Sequence, residues 1–373
     1  MAATHCINET LPAEVFGVIF EEHAKLEWRA PVVDGLVCRQ WRQTILCSPR
    51  AWAHLEIGSD FESAPSELRR QWLSRSGTAP LHIRALWGIG GILDQHYKRI
   101  KSLAVRHTIV HSLLENRSFP ILQSLTIYGL DLYTRAFRLS NWDAMPALHS
   151  LRLCGISVNI PPSETVPALR FLAICRLKKN EYNNIMQNSY HSLTTLMLAN
   201  FDVPNTPATL DFPSLSFLSL FAVGNLKHRM HVPALTTFHE ASAQEESFSM
   251  PLPLLTEYGI SQIYSKPLFN TNVTRLHHYY PNLSRISVRF GPSDVKAFLH
   301  SLSGRPTCLP MLRILAVEVP YRETEFSRED KDSMLNDVFV RNTATSVKME
   351  LCFDGRLRFP LYFGRVRDYV KEG

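Results

Sequence analysis

The sequence has no apolar run of about eighteen residues, the length that a membrane-spanning helix needs. Its first twelve residues, MAATHCINETLP, also lack the basic stretch and apolar core of a secretory leader. Paired cysteines are missing. The seven present, at positions 6, 38, 47, 154, 175, 308 and 352, are odd in number and show no short paired spacing. That pattern argues against a disulfide framework and fits buried thiols in a reducing compartment. Blocks of one charge are missing too: 40 Lys and Arg against 34 Asp and Glu leave a net charge of +6, but the basic residues are scattered. Scattered charge weighs against nucleic acid as a partner. The expectation is a cytoplasmic or nuclear protein without a membrane segment.

Signs of catalysis are equally scarce. No G-x-S-x-G nucleophile elbow occurs. Gly88-Ile89-Gly90-Gly91 lacks the Lys and Ser or Thr of a phosphate loop and reads as a turn. His107 and His111 are four apart, but no acidic residue lies between them, so they read as structural histidines rather than metal ligands. His277 and His278, just before Tyr279 and Tyr280, are expected in a loop. Asp and Glu fall in no spacing that singles out an acid/base pair. The expectation is no catalytic residue, no metal site, no cofactor, and a chain that is not an enzyme.

What the sequence does have is 373 residues, 45% of them hydrophobic, enough for two or more folded units. The most informative stretch is residues 8–57. Asn8 or Thr10 can cap a helix whose first turn suits Pro12, with Glu14 near the positive end of its dipole. Leu11, Val15, Val18 and Ile19 recur at helical spacing ahead of the polar Glu21 and Glu22. A second apolar run, Ala30 to Val37, leads into Cys38-Arg39-Gln40-Trp41-Arg42, and Ser48-Pro49-Arg50-Ala51-Trp52 opens a further turn. Three short helices fit this length. A bundle this small keeps apolar surface for a partner.

The Leu-Pro start, the apolar helix after it, the string Val37-Cys38-Arg39-x-Trp41-Arg42 and the later Pro49-x-x-Trp52 together resemble an F-box. An F-box is the segment that binds the Skp adaptor of cullin-RING ubiquitin ligases. The resemblance marks Leu11, Pro12, Val15, Ile19, Val37, Cys38 and Trp41 as facing the adaptor or supporting that surface. Where many F-boxes carry Leu-Asp-Pro between the first two helices, this chain reads His23-Ala24-Lys25-Leu26-Glu27-Trp28.

Residues 58–80 form a transition in which Ser63 or Ser66 caps a helix carrying Leu68, Trp72 and Leu73 on one side, ended by Gly77. From 81 to 320 one phrase recurs, a Pro followed by x-Leu-x-x-Leu-x-Leu. It reads FPILQSLTI at 119–127, MPALHSLRL at 145–153, VPALRFLAI at 166–174, FPSLSFLSL at 212–220 and LPMLRILAV at 309–317. Weaker copies begin at 99, 190, 232 and 280. The leading residues Leu122, Leu148, Leu169, Leu193, Leu215, Leu235, Leu283 and Leu312 mostly keep the period of roughly 20 to 29 residues of leucine-rich repeats.

One such repeat cannot bury its apolar face alone, so neighbours must stack into a parallel sheet. This body resembles the degenerate leucine-rich repeats that often follow an F-box, as in fungal-type F-box proteins. The Asn that regular repeats place three residues after the last Leu is absent: Leu130, Ile156, Leu177, Phe201 and Val223 stand there. The fold class expected is therefore α/β, a three-helix F-box followed by an irregular parallel solenoid whose loops satisfy their polar groups in other ways. Residues 321–373 supply a closing helix, capped by Ser327 and running to about Arg341, then a strand with Val347, Met349 and Leu351.

The register predicts that Leu151 and Leu218 enter the core, while Arg152 and Ser219 face away and tolerate a charge. Tyr128, Arg152, Phe171, Met197, Phe217 and Phe221 then line the other face of the sheet, a candidate floor for an unidentified target protein. The resemblance implies a substrate-recognition subunit of a Skp-cullin-F-box ubiquitin ligase, acting by proximity. The alternatives are an F-box protein outside ubiquitin transfer, and a repeat-only binding protein.

Overall fold

The phrase apolar-Pro-x-Leu folds into the same turn in copy after copy. The amide of the Leu donates to the carbonyl of the apolar residue three positions back at Leu122/Phe119, Leu148/Met145, Leu215/Phe212, Leu235/Val232, Leu255/Leu252, Leu283/Tyr280 and Leu312/Leu309, over 3.1–3.4 Å. Pro occupies the second position, where its fixed φ suits a β-turn and its missing N–H costs nothing. Both ends of each turn are buried, which anchors every repeat before its strand begins.

The computed structural model describes residues 11–58, 66–85, 95–114, 117–129, 137–138, 142–156, 158–159, 166–175, 183–201, 210–223, 230–241, 251–261, 273–289, 292–317 and 327–353. It is a mixed α/β chain whose strands stack in parallel as a solenoid, and it divides into two units, Met1–Pro167 and Ala168–Gly373.

The first unit opens with helices α1 (Ala13–Leu26), α2 (Ala30–Asp34) and α3 (Arg39–Leu46), followed by a 3-10 turn at Pro49–Trp52. Pro12 is the N-cap of α1 rather than part of its first turn, and Asn8 and Thr10 lie outside the described residues. Cys38 caps α3, its Sγ accepting from the Trp41 amide at 3.4 Å. His23 Nδ1 meets Asp34 Oδ2 at 2.9 Å and ties α1 to α2.

The strand β1 (His54–Ile57) then starts the parallel sheet earlier than the repeat phrases indicate, pairing with β2 (Leu81–Ala85). Between them lies α4 (Ser66–Arg75), with Trp72 and Leu73 buried and Gly77 at φ +50° closing it. Arg99 reaches back to accept no one and donate widely: its guanidinium bonds the carbonyls of Leu73 (3.2 Å), Gly77 (2.6 Å) and Ala79 (3.1 Å), the orphan acceptors of that helix end.

The sheet of this unit continues through β3 (Ile100–Arg106), β4 (Ser124–Tyr128) and β6 (Ser150–Cys154), with α5 (His107–Leu114) after β3. The short β5 (Phe137–Arg138) pairs with β7 (Val158–Asn159). Two core rows follow from the register, Leu55-Ile83-Leu103-Leu125-Leu151 and Ile57-Ala85-Val105-Ile127-Leu153, all buried. Gly129 and Gly155 approach so closely that a Cβ on Gly129 would stand 2.2 Å from the Gly155 carbonyl oxygen, so this corner admits no side chain.

The second unit stacks β8 (Phe171–Cys175), β9 (Thr195–Phe201), β11 (Phe217–Val223), β13 (Thr237–Ala241), β14 (Glu257–Ser261), β15 (Arg285–Arg289), β16 (Ile314–Val317) and β17 (Glu350–Phe353). A small pair, β10 (Leu210–Asp211) with β12 (Met230–His231), lies apart from these. Helices α6 (Asn183–Ser189), α7 (Val273–Tyr279), α8 (Pro292–Ser303) and α9 (Arg328–Ala344) fill the connections. His277 and His278 thus sit on α7 and not in a loop, and His277 Nδ1 accepts from the Leu309 amide at 3.3 Å.

What replaces the missing Asn ladder is a ladder of hydroxyls at the opposite end of the strands. Thr194, Ser216, Thr236, Thr256 and Ser284 each donate from the side chain to the carbonyl of residue 170, 194, 216, 236 or 256 in the repeat before, over 3.1–3.3 Å. Backbone amides converge on the same carbonyls. Each hydroxyl occupies the position just after the leading Leu of its copy, four of the five after Pro-x-Leu and Thr194 after His-Ser-Leu, so these five steps of the stack each gain a lateral bond that depends on the neighbour.

One row of this core is interrupted. Across Leu220, Glu240, Ile260 and Val288 the register places a carboxylate where the other strands bring aliphatic groups. Glu240 is buried, and the Tyr258 hydroxyl donates to its Oε1. Burial, with the charge of Glu240 next, pushes the Tyr258 phenol well above its usual value and keeps it the donor.

At the far end, Ser327 and Asp330 form a reciprocal capping box on α9. The buried Arg341 donates to the carbonyls of Cys308 (3.2 Å) and Leu309 (2.7 Å), holding Leu309 at φ +50°. The closing strand is β17, paired in parallel with β16. Of the three residues expected on it, Leu351 lies on the strand, and Met349 is buried just before it. No helix among the described residues is long and apolar enough to cross a membrane.

Candidate functional site

Helix α1 carries two apolar stripes, and only one is core. Phe16, Phe20 and Ala24, at four-residue spacing, are at most 2% exposed. The indole of Trp41 packs on the two Phe rings, with centroids 5.6 and 5.2 Å away. Val15 (41% exposed), Val18 and Ile19 (45%) form the other stripe and face solvent. The helical spacing of Leu11, Val15, Val18 and Ile19 thus marks an outer face, where the buried one is normally sought.

Further aliphatic side chains are exposed on α2 and in the turn after it. Val32, Val33, Leu36 and Val37 are all exposed, Val37 by 59%. Of the seven residues singled out in the sequence, Pro12, Val15, Ile19 and Val37 are exposed, while Leu11, Cys38 and Trp41 are half-buried beneath them. Sequence reasoning singled out Val15, Ile19 and Val37 among the exposed apolar residues but left out Val33 and Leu36, which the apolar run from Ala30 to Val37 could have supplied. So many exposed aliphatic side chains on a small helical module are costly in water.

The segment that departs from the F-box pattern also has a role. After α1 ends at Leu26, Trp28 meets Trp72 of α4 with ring centroids 5.3 Å apart, and Trp72 in turn meets Trp52 at 4.8 Å. Arg75 stacks over Trp52 at 4.6 Å. The helices are therefore seated on α4 through three indoles, with their aliphatic stripe left outside.

The second set of residues lies on the non-core face of the strands. In the first unit, Tyr128 is half-buried and Arg152 exposed. In the second, Phe171, Phe217 and Phe221 are half-buried, and each lies beside small register partners: Thr195 stands between Phe171 and Phe217, Thr237 follows Phe217, and Ala199 and Ala241 flank Phe221. Met197 and Ser219 depart from expectation, because both are on this face yet buried. They are register partners, and Ser219 also adjoins His239, so the middle row of the face is filled by its own side chains. Alternation gives the direction of a side chain but not how far its neighbours cover it.

Charged groups continue this face of the second unit, and the sequence reading missed them. His239 Nε2 stands 3.8 Å from Glu257 Oε1, and Arg285 Nε stands 3.5 Å from the same oxygen. His239, and then the charge of Arg285, hold the Glu257 carboxyl below its ordinary value. The Phe217 ring lies 5.4 Å from that of His239, so the aromatic part of the face runs directly into the charged part. Among the described residues no group of three or more His, Cys, Asp and Glu is arranged to hold a metal. His107 lies on α5, the side chain of His111 and the run Gly88 to Gly91 fall outside the described residues.

None of the protein-family models matches this chain, and the search of curated proteins returns no match.

Proposed function

We propose that this chain is the substrate-recognition subunit of a Skp-cullin-F-box ubiquitin ligase. Helices α1 to α3 dock on the Skp adaptor as an F-box, and the repeat face of the strands holds the target. One observation carries this reading: a helical module whose aromatic core is complete (Phe16, Phe20, Trp41) still turns Val15, Val18, Ile19, Val33, Leu36 and Val37 to solvent. An N-terminal cap on a solenoid has no use for such a stripe, whereas a docking helix requires it. The chain performs no covalent step in this scheme. It raises the local concentration of a target lysine near a ubiquitin-charged enzyme.

Affinity capture of the chain tests it. Adaptor and cullin are both expected in the eluate; adaptor without cullin would place the protein outside ubiquitin transfer, and neither would leave a repeat-only binding protein. The target face has its own test. Phe217→Ser with Phe221→Ser is expected to abolish capture of the target while thermal melting moves little, because both rings are half-buried over small neighbours. A large fall in melting temperature would instead make the two rings internal packing.

A further inference from the structure

Two histidines on neighbouring strands of the first unit differ from the others in what they touch. His54 of β1 and His82 of β2 are register partners in a parallel pair, so both side chains leave the same face of the sheet at the same height. Their rings are nearly parallel, 14° apart in plane and 4.6 Å between centroids, and both are half-buried. Several other histidines have polar partners instead. His23 and His231 meet carboxylates at 2.9 and 2.8 Å, and His277 accepts from a backbone amide. His54 and His82 make no hydrogen bond or ion pair among the described residues. Neither ring has a nitrogen buried without a partner, so the nitrogens reach solvent.

We propose that His54 and His82 form a two-imidazole site for a divalent d-block cation, zinc in the first instance, that clamps β1 to β2. Zinc holds imidazole nitrogen at about 2.0–2.1 Å, and tetrahedral geometry then separates two such nitrogens by about 3.4 Å. With ring centroids 4.6 Å apart, the site requires the nitrogen edges of the two rings to tilt towards each other by about an ångström. The ligand type selects the metal: imidazole suits zinc, copper and nickel, while calcium and magnesium call for oxygen donors.

No third His, Cys, Asp or Glu joins the pair among the described residues, so water completes the coordination. Ser102, the register partner of His82 on β3, adds a hydroxyl beside it. The charged groups that act on the pair are Lys25 and Lys101 on one side and Glu21 and Glu22 on the other. Lys25 is itself held by Glu22 at 2.5 Å and Glu21 at 3.5 Å, which reduces its repulsion of a cation. Burial first, then the charge of its neighbour, brings His54 down to about 4, and burial also lowers His82, so both rings are neutral at pH 7.5. β1 directly follows the helical module, and a metal across β1 and β2 would fix the strand that joins those helices to the sheet.

Calorimetric titration of the tag-free full chain with zinc at pH 7.5 tests this. The wild type is expected to show a site that His54→Gln and His82→Gln each weaken by at least about tenfold, while His107→Gln leaves it intact. Zinc is expected to raise the melting temperature of the wild type and of the His107 variant, and to leave both site variants unmoved. Equal zinc affinity in the wild type and either site variant would overturn the proposal. A readout that needs no variant is the cobalt(II) spectrum of the wild-type chain. Ligand-field bands without a thiolate charge-transfer band are expected as the first equivalent binds; a thiolate band at that point would assign the metal to cysteine and overturn the proposal.

Discussion

Leu218→Asp is expected to destabilise the second unit by more than about 4 kcal/mol, and Leu151→Asp to do the same in the first. Both leucines are 0% exposed in rows of apolar partners, Leu196 and Phe238 beside Leu218, Leu125 beside Leu151. The loss combines the missing aliphatic contacts with a carboxylate that has no donor. For a domain of ordinary stability that is enough to leave it largely unfolded. Arg152→Asp, one residue from Leu151 on an exposed position, is expected to cost within about 1 kcal/mol. Ser219→Asp falls between these, because Ser219 is 3% exposed between Met197 and His239. Thermal melting of the four variants checks the order. If Arg152→Asp melted below Leu151→Asp, the strands would present the opposite face to the core and the repeat register would be wrong by one.

The repeats were legible because their signal is local: a Pro sets the turn, and a Leu every second position sets the face. All eight leading leucines are buried as that pattern requires. A copy that the sequence reading left out and one that it cut short at Phe238 share one feature. The copy LPLLTEYGI at 252–260 puts Tyr258 where Leu is expected, and VPALTTFHE at 232–240 puts Glu240 there. Each alone looks like the end of a repeat. Together they make a buried hydrogen-bonded pair, and no periodicity in one copy reveals a partner supplied by the next. The hydroxyl ladder was equally visible in principle, as the Ser or Thr after Pro-x-Leu in successive copies, but its meaning depends on stacking.

For the candidate docking surface the difficulty was of another kind. Helical spacing in α1 fits Phe16, Phe20 and Ala24 as well as it fits Val15, Val18 and Ile19, and a hydrophobic stripe carries no mark saying which side is inside. Only the position of Trp41, packed on the two Phe rings, decides it. The face of the strands was read correctly in direction and incorrectly in depth at Met197 and Ser219, since cover by neighbouring strands is a property of three sequences at once.

Replacing Leu11 and Pro12 together by Ala is expected to weaken binding of the Skp adaptor by about 2 kcal/mol or more, some thirtyfold in affinity. Pro12 is exposed and Leu11 half-buried at the entry to α1, next to the outer stripe of Val15 and Ile19. The carbonyl of residue 12 accepts the amides of Val15 and Phe16 at 3.1 and 3.4 Å, a role that Ala keeps. The aromatic core of Phe16, Phe20 and Trp41 is untouched, so melting is expected to shift by no more than about 1 kcal/mol. A view in which these residues serve only as core predicts the reverse, loss of folding with no specific loss of binding. Val15→Lys with Ile19→Lys supplies the second arm: both side chains are more than 40% exposed, so the helix keeps its fold while a charge enters the middle of the proposed contact. A folded protein carrying either pair of changes that still captured the adaptor as well as the wild type would end the docking assignment.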